Sequence, residues 1–266
     1  LVNTGGWKTA AIESVGKVAT SDCDGPSGLS NYVTGSTGTQ YPTEVLMAQT
    51  WSKEIATEIG SAMGQEFANA NNYGWYGPAM NLHRSAFSGR NFEYYSEDPF
   101  LSGRAIACEV GAFVDKGGVT FMKHFAANDQ ETFRHGVPSW SNEQALREIY
   151  LRAFELPIIQ ADAQCVMTAF NRLGAIWAGA YTELLTDWLR GEAGMSGFAV
   201  TDMYDGTYMV KVNEIVAGND LPDNFVGDDI SELKDYGPDG AKANPMVAQA
   251  LRTSAKRVLN TDRKST

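Results

Sequence analysis

At 266 residues the chain is near the ~250 typical of one (β/α)8 barrel, and its 43% hydrophobic and 20% charged positions are ordinary for a globular domain. With 21 Lys and Arg against 32 Asp and Glu, the net charge of −11 repels phosphate backbones and anionic lipid, which argues against nucleic acid as a partner. No run of the ~18 apolar residues that span a bilayer is present, so no membrane partner is expected. Three widely spaced cysteines, Cys23, Cys108 and Cys165, fit core packing better than a disulfide framework or a zinc site. The first residue is Leu1, not Met, so the chain is expected to be processed or a piece of something longer, and cytoplasmic and secreted locations stay undecided.

Strand-like and helical patterns alternate along the chain, which implies βα units and a parallel sheet. Val18-Ala-Thr20 leads into a Gly/Pro turn that holds Asp22 and Asp24. Residues 43 to 70 read as one amphipathic helix with Leu46, Trp51, Ile55, Ile59, Met63 and Phe67 on its buried face. Trp75 to Leu82 is a strand made irregular by Pro78, and a polar loop then precedes a helix from Pro99 to Lys116. Val119 to Met122 is a strand ending in Lys123-His124. The loop from 126 to 140 is long and polar, as functional loops tend to be.

A helix from Ser141 to Gln160, a strand from Gln164 to Phe170 and a helix from Thr182 to Arg190 follow. Gly197 then breaks the pattern, and the apolar run Phe198 to Val200 ends in Thr201-Asp202. Tyr208 to Ile215 is helical, Val216-Ala217 leads to Gly218-Asn-Asp-Leu-Pro222, residues 223 to 244 form a loop, and a last helix starts at Asn244-Pro245. The pattern gives six credible strands, so the expected fold is an α/β, TIM-like (β/α)8 barrel that is irregular or incomplete, with 1 to 266 as one domain.

An acid at the carboxyl end of a parallel strand sits where such folds place their chemistry, although Asp in that position is more often a turn former or helix cap. What favours chemistry at Asp202 is a ring of similar residues at other strand ends: Asp24, Arg90, Lys123-His124, Phe170-Asn171 and Asp220. A sugar presents many hydroxyls for charged groups to orient, and its hydrolysis needs a carboxylate at the anomeric carbon.

The runs Asp24-Gly-Pro-Ser-Gly-Leu29, Gly89-Arg-Asn-Phe-Glu-Tyr-Tyr-Ser-Glu-Asp-Pro99, Lys123-His-Phe-Ala-Ala-Asn-Asp-Gln-Glu131, Ala145-Leu-Arg-Glu-Ile-Tyr150, Val166-Met-Thr-Ala-Phe-Asn171 and Thr201-Asp202 stand in an order that resembles glycoside hydrolase family 3 of the β-glucosidase type. The resemblance covers about residues 20 to 222. It implies an N-terminal barrel domain and a retaining, exo-acting β-glycosidase that removes terminal β-D-glucosyl residues. Asp202 would be the nucleophile, and Asp24, Arg90, Lys123, His124, Arg134 and Met167 the sugar subsite. Lys123 and Arg90 beside Asp202 are expected to lower its pKa.

Family members usually carry Tyr at Phe170 and often Trp at Met203, so these two substrate-lining positions depart from the pattern. The general acid/base of such β-glucosidases usually comes from a second, sandwich domain, for which this chain has no room; that domain or a partner chain would supply it. Glu93, Glu97 and Glu131 read as structural, and His135 is the weak candidate within the chain. Alternatives are a β-xylosidase or N-acetylglucosaminidase of the same family, and a catalytically incomplete barrel that only binds sugar. No metal or organic cofactor is implied.

Overall fold

Strand side chains alternate between two faces, and here each strand is short enough for one face to be sorted into an apolar stretch and a polar end. The structure, a computed structural model, describes residues 7–203, 206–223, 231–237 and 240–265. Its main sheet has the order β1 (Lys8–Thr9), β2 (Thr20–Cys23), β3 (Gly74–Trp75), β4 (Val119–Phe125), β6 (Cys165–Thr168), β9 (Ala199–Met203) and β10 (Leu221–Asp223). All neighbours are parallel except β1 with β2. A small sheet, β5 (Pro138–Ser139), β7 (Arg172–Leu173) and β8 (Ile176–Trp177), stands beside it.

The helices follow the strands as α1 (Glu44–Gln49), α2 (Lys53–Asn69), α3 (Pro99–Val114), α4 (Glu143–Ala145), α5 (Arg152–Ala161), α6 (Lys211–Ala217) and α7 (Pro245–Ser265). Two wider, π-type stretches occupy Leu146–Tyr150 and Glu183–Glu192. Residues 224–230 and 238–239 of the expected loop 223 to 244 lie outside the described residues; within it, Ser231–Tyr236 forms a 3-10 helix.

One face of the sheet carries Met122, Val166 and Ala199 against Ile106, Val110, Phe154, Ile158, Leu185 and Leu189 of the helices. The opposite face carries Val119, Phe121, Cys165, Met167, Phe198, Val200 and Leu221, which pack on one another as the barrel interior. Among the described residues β1 and β10 are sheet edges that do not pair, so the barrel is open. Helix α7 lays Val258 into the interior beside Trp7 and Leu221, filling space that a closed ring would fill with strands. Cys23 and Cys165 are free and buried, and Cys108 is free and half-buried, packed on the outer core.

The helix expected over 43 to 70 is two helices. Trp51 takes a left-handed φ of 54°, and Ser52 caps α2 by accepting from the Ile55 N–H at 3.2 Å. Leu46 in α1, Trp51 at the break and Ile55 in the first turn of α2 are exposed, while Met47, Ala48 and Ala56 are buried. Beyond it, Met63 and Phe67 are buried as expected. Gly60 lets α2 approach α3: a Cβ there would stand 2.1 Å from the Glu109 carbonyl oxygen.

Asp220 is also not where the ring of polar residues placed it. Fully buried, it accepts from the Ala199 N–H (2.9 Å) and the Ser254 hydroxyl (2.8 Å) and pairs with Arg190 (2.6 Å) and Arg257 (2.8 Å). Inward-facing Leu221 follows it, so Asp220 faces outward and fastens α7 to the sheet. A buried carboxylate with two cations leaves uncompensated charge when deleted. Asp220→Ala should therefore lower the unfolding free energy by about 3–5 kcal/mol, read as an earlier urea midpoint at unchanged slope.

Candidate functional site

The inward face of each strand that is apolar at its start is charged at its end. Along β4 the series Val119, Phe121 finishes in Lys123, along β9 Phe198, Val200 finishes in Asp202, and along β10 Leu221 finishes in Asp223. Asp24 follows β2 in the same phase. The period of two thus delivers four charged side chains to one end of the interior.

Lys123 is buried and donates to Asp24 Oδ1 at 3.1 Å. His124 Nε2 stands 3.6 Å from Asp202 Oδ2, and its Nδ1 is 3.3 Å from the Tyr94 hydroxyl. Asn81 grips the His124 backbone, accepting from its N–H at 2.8 Å and donating to its carbonyl at 2.9 Å. Burial, reinforced by Arg90, Lys123 and Arg134, holds the His124 imidazole well below its usual pKa, so the ring is neutral. The Tyr94 hydroxyl also donates to the Asn128 carbonyl at 3.3 Å and accepts from Asn128 Nδ2 at 3.2 Å, which fixes it beside the imidazole.

The Asp202 side chain keeps 16% of its surface exposed, and its Oδ1 accepts from the Met203 N–H at 2.8 Å. Burial pushes its carboxyl above the ordinary range, and the Met203 N–H, Lys123, Arg90 and Arg134 pull the other way. The cations thus act in the expected sense, but the net direction is the reverse of the expected lowering: desolvation is the larger effect.

Two arginines reach the site from loops. Arg90 pairs with Glu93 and lies 3.6 Å from Glu131, which also binds Arg134 at 2.8 Å and Asn128 at 2.9 Å. Glu131 therefore links the two cations, and the structural role expected of Glu93 and Glu131 is met; Glu97 is exposed. Arg134 lies over the Phe170 ring, 4.5 Å from its centroid, and His135 stacks on the same ring at 4.3 Å and 17°. Phe170 is buried among Trp177, Met209 and Tyr208, so it supports the loop. Met167 belongs to the interior apolar layer, and Met203 is exposed beside Asp202.

Sequence reasoning missed Tyr94, Asn81 and Asp223. Asp223 is buried, with Oδ1 unpartnered among the described residues; burial and then the charges of Asp202, Asp24 and Asp22 push its carboxyl well above the usual range. Its signal was the phase set by Leu221. The described residues contain no cluster of three or more His, Cys, Asp or Glu able to hold a metal ion. Arranged this way, the site can bind a hydroxyl-rich ligand and present a carboxylate to it.

Residues 19–218 match the model of the glycosyl hydrolase family 3 N terminal domain. Beta-glucosidase A of Butyrivibrio fibrisolvens is 37% identical over 83% of this chain and 26% of its own length, and a beta-glucosidase of Ruminococcus albus is 39% identical over 73% and 20%. This chain thus spans about a quarter or less of those two relatives. Beta-glucosidase 3B of Thermotoga neapolitana, solved in complex with glucose, superposes with a TM-score of 0.84 at 34% identity, covering 97% of this chain and 37% of that one. The GH3 beta-glucosidase of Bifidobacterium adolescentis gives 0.87 at 30% identity, covering 99% and 39%.

With its pKa raised by burial, Asp223 keeps its proton to higher pH than an unfolded aspartate does, so the native state binds more protons than the unfolded one as pH rises above about 4. Its contribution to stability is present below that pH and is lost as pH rises toward its folded pKa. Asp223→Asn removes this loss. In urea titrations the stability of the variant relative to the parent should rise as pH increases above about 4; a difference independent of pH would contradict the assignment.

Proposed function

We propose that this chain, which belongs to glycosyl hydrolase family 3, is the barrel part of a retaining, exo-acting β-glycosidase that acts on terminal β-D-glucosyl residues. The observation that carries this reading is the placement of Asp202, partly open to solvent, among Lys123, Arg90 and Arg134, with Asp24 held by the same Lys123. The similarity to beta-glucosidases, one of them solved with glucose, agrees with it.

In this mechanism a sugar enters with its hydroxyls on Asp24, Lys123 and the two arginines. Charge-assisted bonds of this kind are worth ~1.5–3 kcal/mol each. Asp202 attacks the anomeric carbon, the glycosidic bond breaks, and a glycosyl-aspartate ester forms that water later cleaves. The Met203 N–H, Lys123, Arg90 and Arg134 favour the anionic form of Asp202 against its burial, and glycosylation should fail as pH falls through its raised pKa. Neutral His124 orients Asp202 without neutralising it.

A retaining glycosidase also needs a second carboxyl about 5–5.5 Å from the first to protonate the leaving oxygen. Glu93 and Glu131 are committed to the arginines, and His135 rests on Phe170. With these candidates among the described residues engaged elsewhere, we assign the acid/base to a further domain or partner chain. The 266 residues should hydrolyse an aryl β-glucoside, whose leaving group departs unprotonated, at least ~10²-fold better than cellobiose. Asp202→Ala should abolish this hydrolysis, and azide should restore part of it with inverted configuration. Equal turnover of cellobiose would place the acid within this chain, and full activity of Asp202→Ala would overturn the nucleophile. Glucose binding without any turnover would leave a sugar-binding barrel.

A further inference from the structure

The segment from Gln130 to Pro138 has two sides. Glu131, Arg134 and His135 line one hollow, whereas Gln130 and Thr132 line a neighbouring cleft of about 560 Å³, with Val137 and Pro138 lining both. That cleft is bounded by Arg84, Phe87, Asp129, Trp140, Tyr150 and Asn171. The sequence reading and the mechanism use none of its aromatic residues.

Phe87 is 95% exposed and Trp140 77%, an unusual cost in water for two large apolar faces on one cleft. Trp140 lies against Gly174 of the β7–β8 turn, where a Cβ would stand 3.5 Å from its ring, so the indole has a flat support. Arg84 is held over the Tyr150 ring at 5.7 Å. The cleft floor holds Asn171, only 1% exposed, which donates to the Ala126 carbonyl (3.1 Å) and the Ser139 hydroxyl (3.3 Å). Its Oδ1 has no partner among the described residues. A buried carbonyl oxygen without a donor costs roughly 1–3 kcal/mol until one arrives.

We propose that this cleft is a second carbohydrate site, binding a neutral hexopyranosyl unit between Trp140 and Phe87 with a hydroxyl donated to Asn171 Oδ1. The unmet group is an acceptor, so the ligand must bring a donor, as a sugar hydroxyl does. One cation, Arg84, and one acid, Asp129, give no net charge, which favours a neutral ligand over an anion. Exposed aromatic faces pair with the C–H face of a pyranose, and the volume lies in the ~300–1,000 Å³ range of small-molecule sites. The site is separate from Asp202 and does not depend on the hydrolase reading.

Isothermal titration with cellobiose tests it. In the Asp24→Ala chain, with the candidate subsite damaged, a binding event should persist, and adding Trp140→Ala or Phe87→Ala should weaken it at least ~10-fold. Both aromatic positions are exposed, so folding is not at stake, and circular dichroism checks Asp24→Ala. Trp140→Ala alone should leave aryl β-glucoside hydrolysis within twofold of the parent. Loss of all cellobiose binding in Asp24→Ala, or unchanged binding when Trp140→Ala is added to it, overturns the second site. Absence of hydrolysis with this binding intact would instead count against the hydrolase reading alone.

Discussion

The period of two along strands whose inward face is already filled by Phe121, Met167, Phe198 and Val200 is the constraint from which the site follows. Once those side chains occupy the interior, the next inward position on each strand reaches the rim. There it can be charged without entering the core. Lys123 and Asp202 therefore meet because their strands are held in register through β6, where Phe121 pairs with Cys165 and Met167 with Val200. A slip of one residue in either strand would turn its charged end into the helix layer and its apolar start outward.

Charge at the rim is managed by sharing. Lys123 serves Asp24 directly and acts on Asp202 and Asp223, while Glu131 ties Arg90 to Arg134. Asp22, Asp24, Asp202 and Asp223 cannot all be ionised at low cost around so few cations, and the carboxyl of Asp223 is pushed well above the usual range. His124 adds no positive charge. The result is one partly exposed carboxylate, Asp202, whose ionisation is opposed by burial and favoured by the Met203 N–H and then by Lys123, Arg90 and Arg134. Away from the rim, Asp220 satisfies both oxygens with Arg190, Arg257, Ser254 and a backbone N–H, unlike the partly exposed Asp202.

Much of this was legible in the sequence, for local reasons. Short apolar runs closed by polar residues marked β4, β6 and β9, and chemistry was expected at Lys123-His124, Phe170-Asn171 and Asp202, at or just beyond their carboxyl ends. The mistake at Asp220 came from treating nearness to a strand end as sufficient: counting from Leu221 puts Asp220 on the outer face and Asp223 on the inner one. Trp51 was misread because the apolar spacing runs unbroken through 43 to 70, whereas a left-handed residue and a Ser52 cap stop the helix. Contacts such as Tyr94 with His124 join residues 30 apart in sequence, and no local pattern encodes them.

The two-sided segment from Gln130 to Pro138 makes its length matter more than its composition. Glu131 must face the arginines while its neighbours Gln130 and Thr132 face away, and Arg134 and His135 must land on Phe170. Substitution at Gln130 or Thr132 changes one surface and leaves the other as it was. Insertion or deletion of a residue before Arg134 would move Arg134 and His135 off the Phe170 ring, so the length of this segment is constrained more tightly than the identity of Gln130 or Thr132.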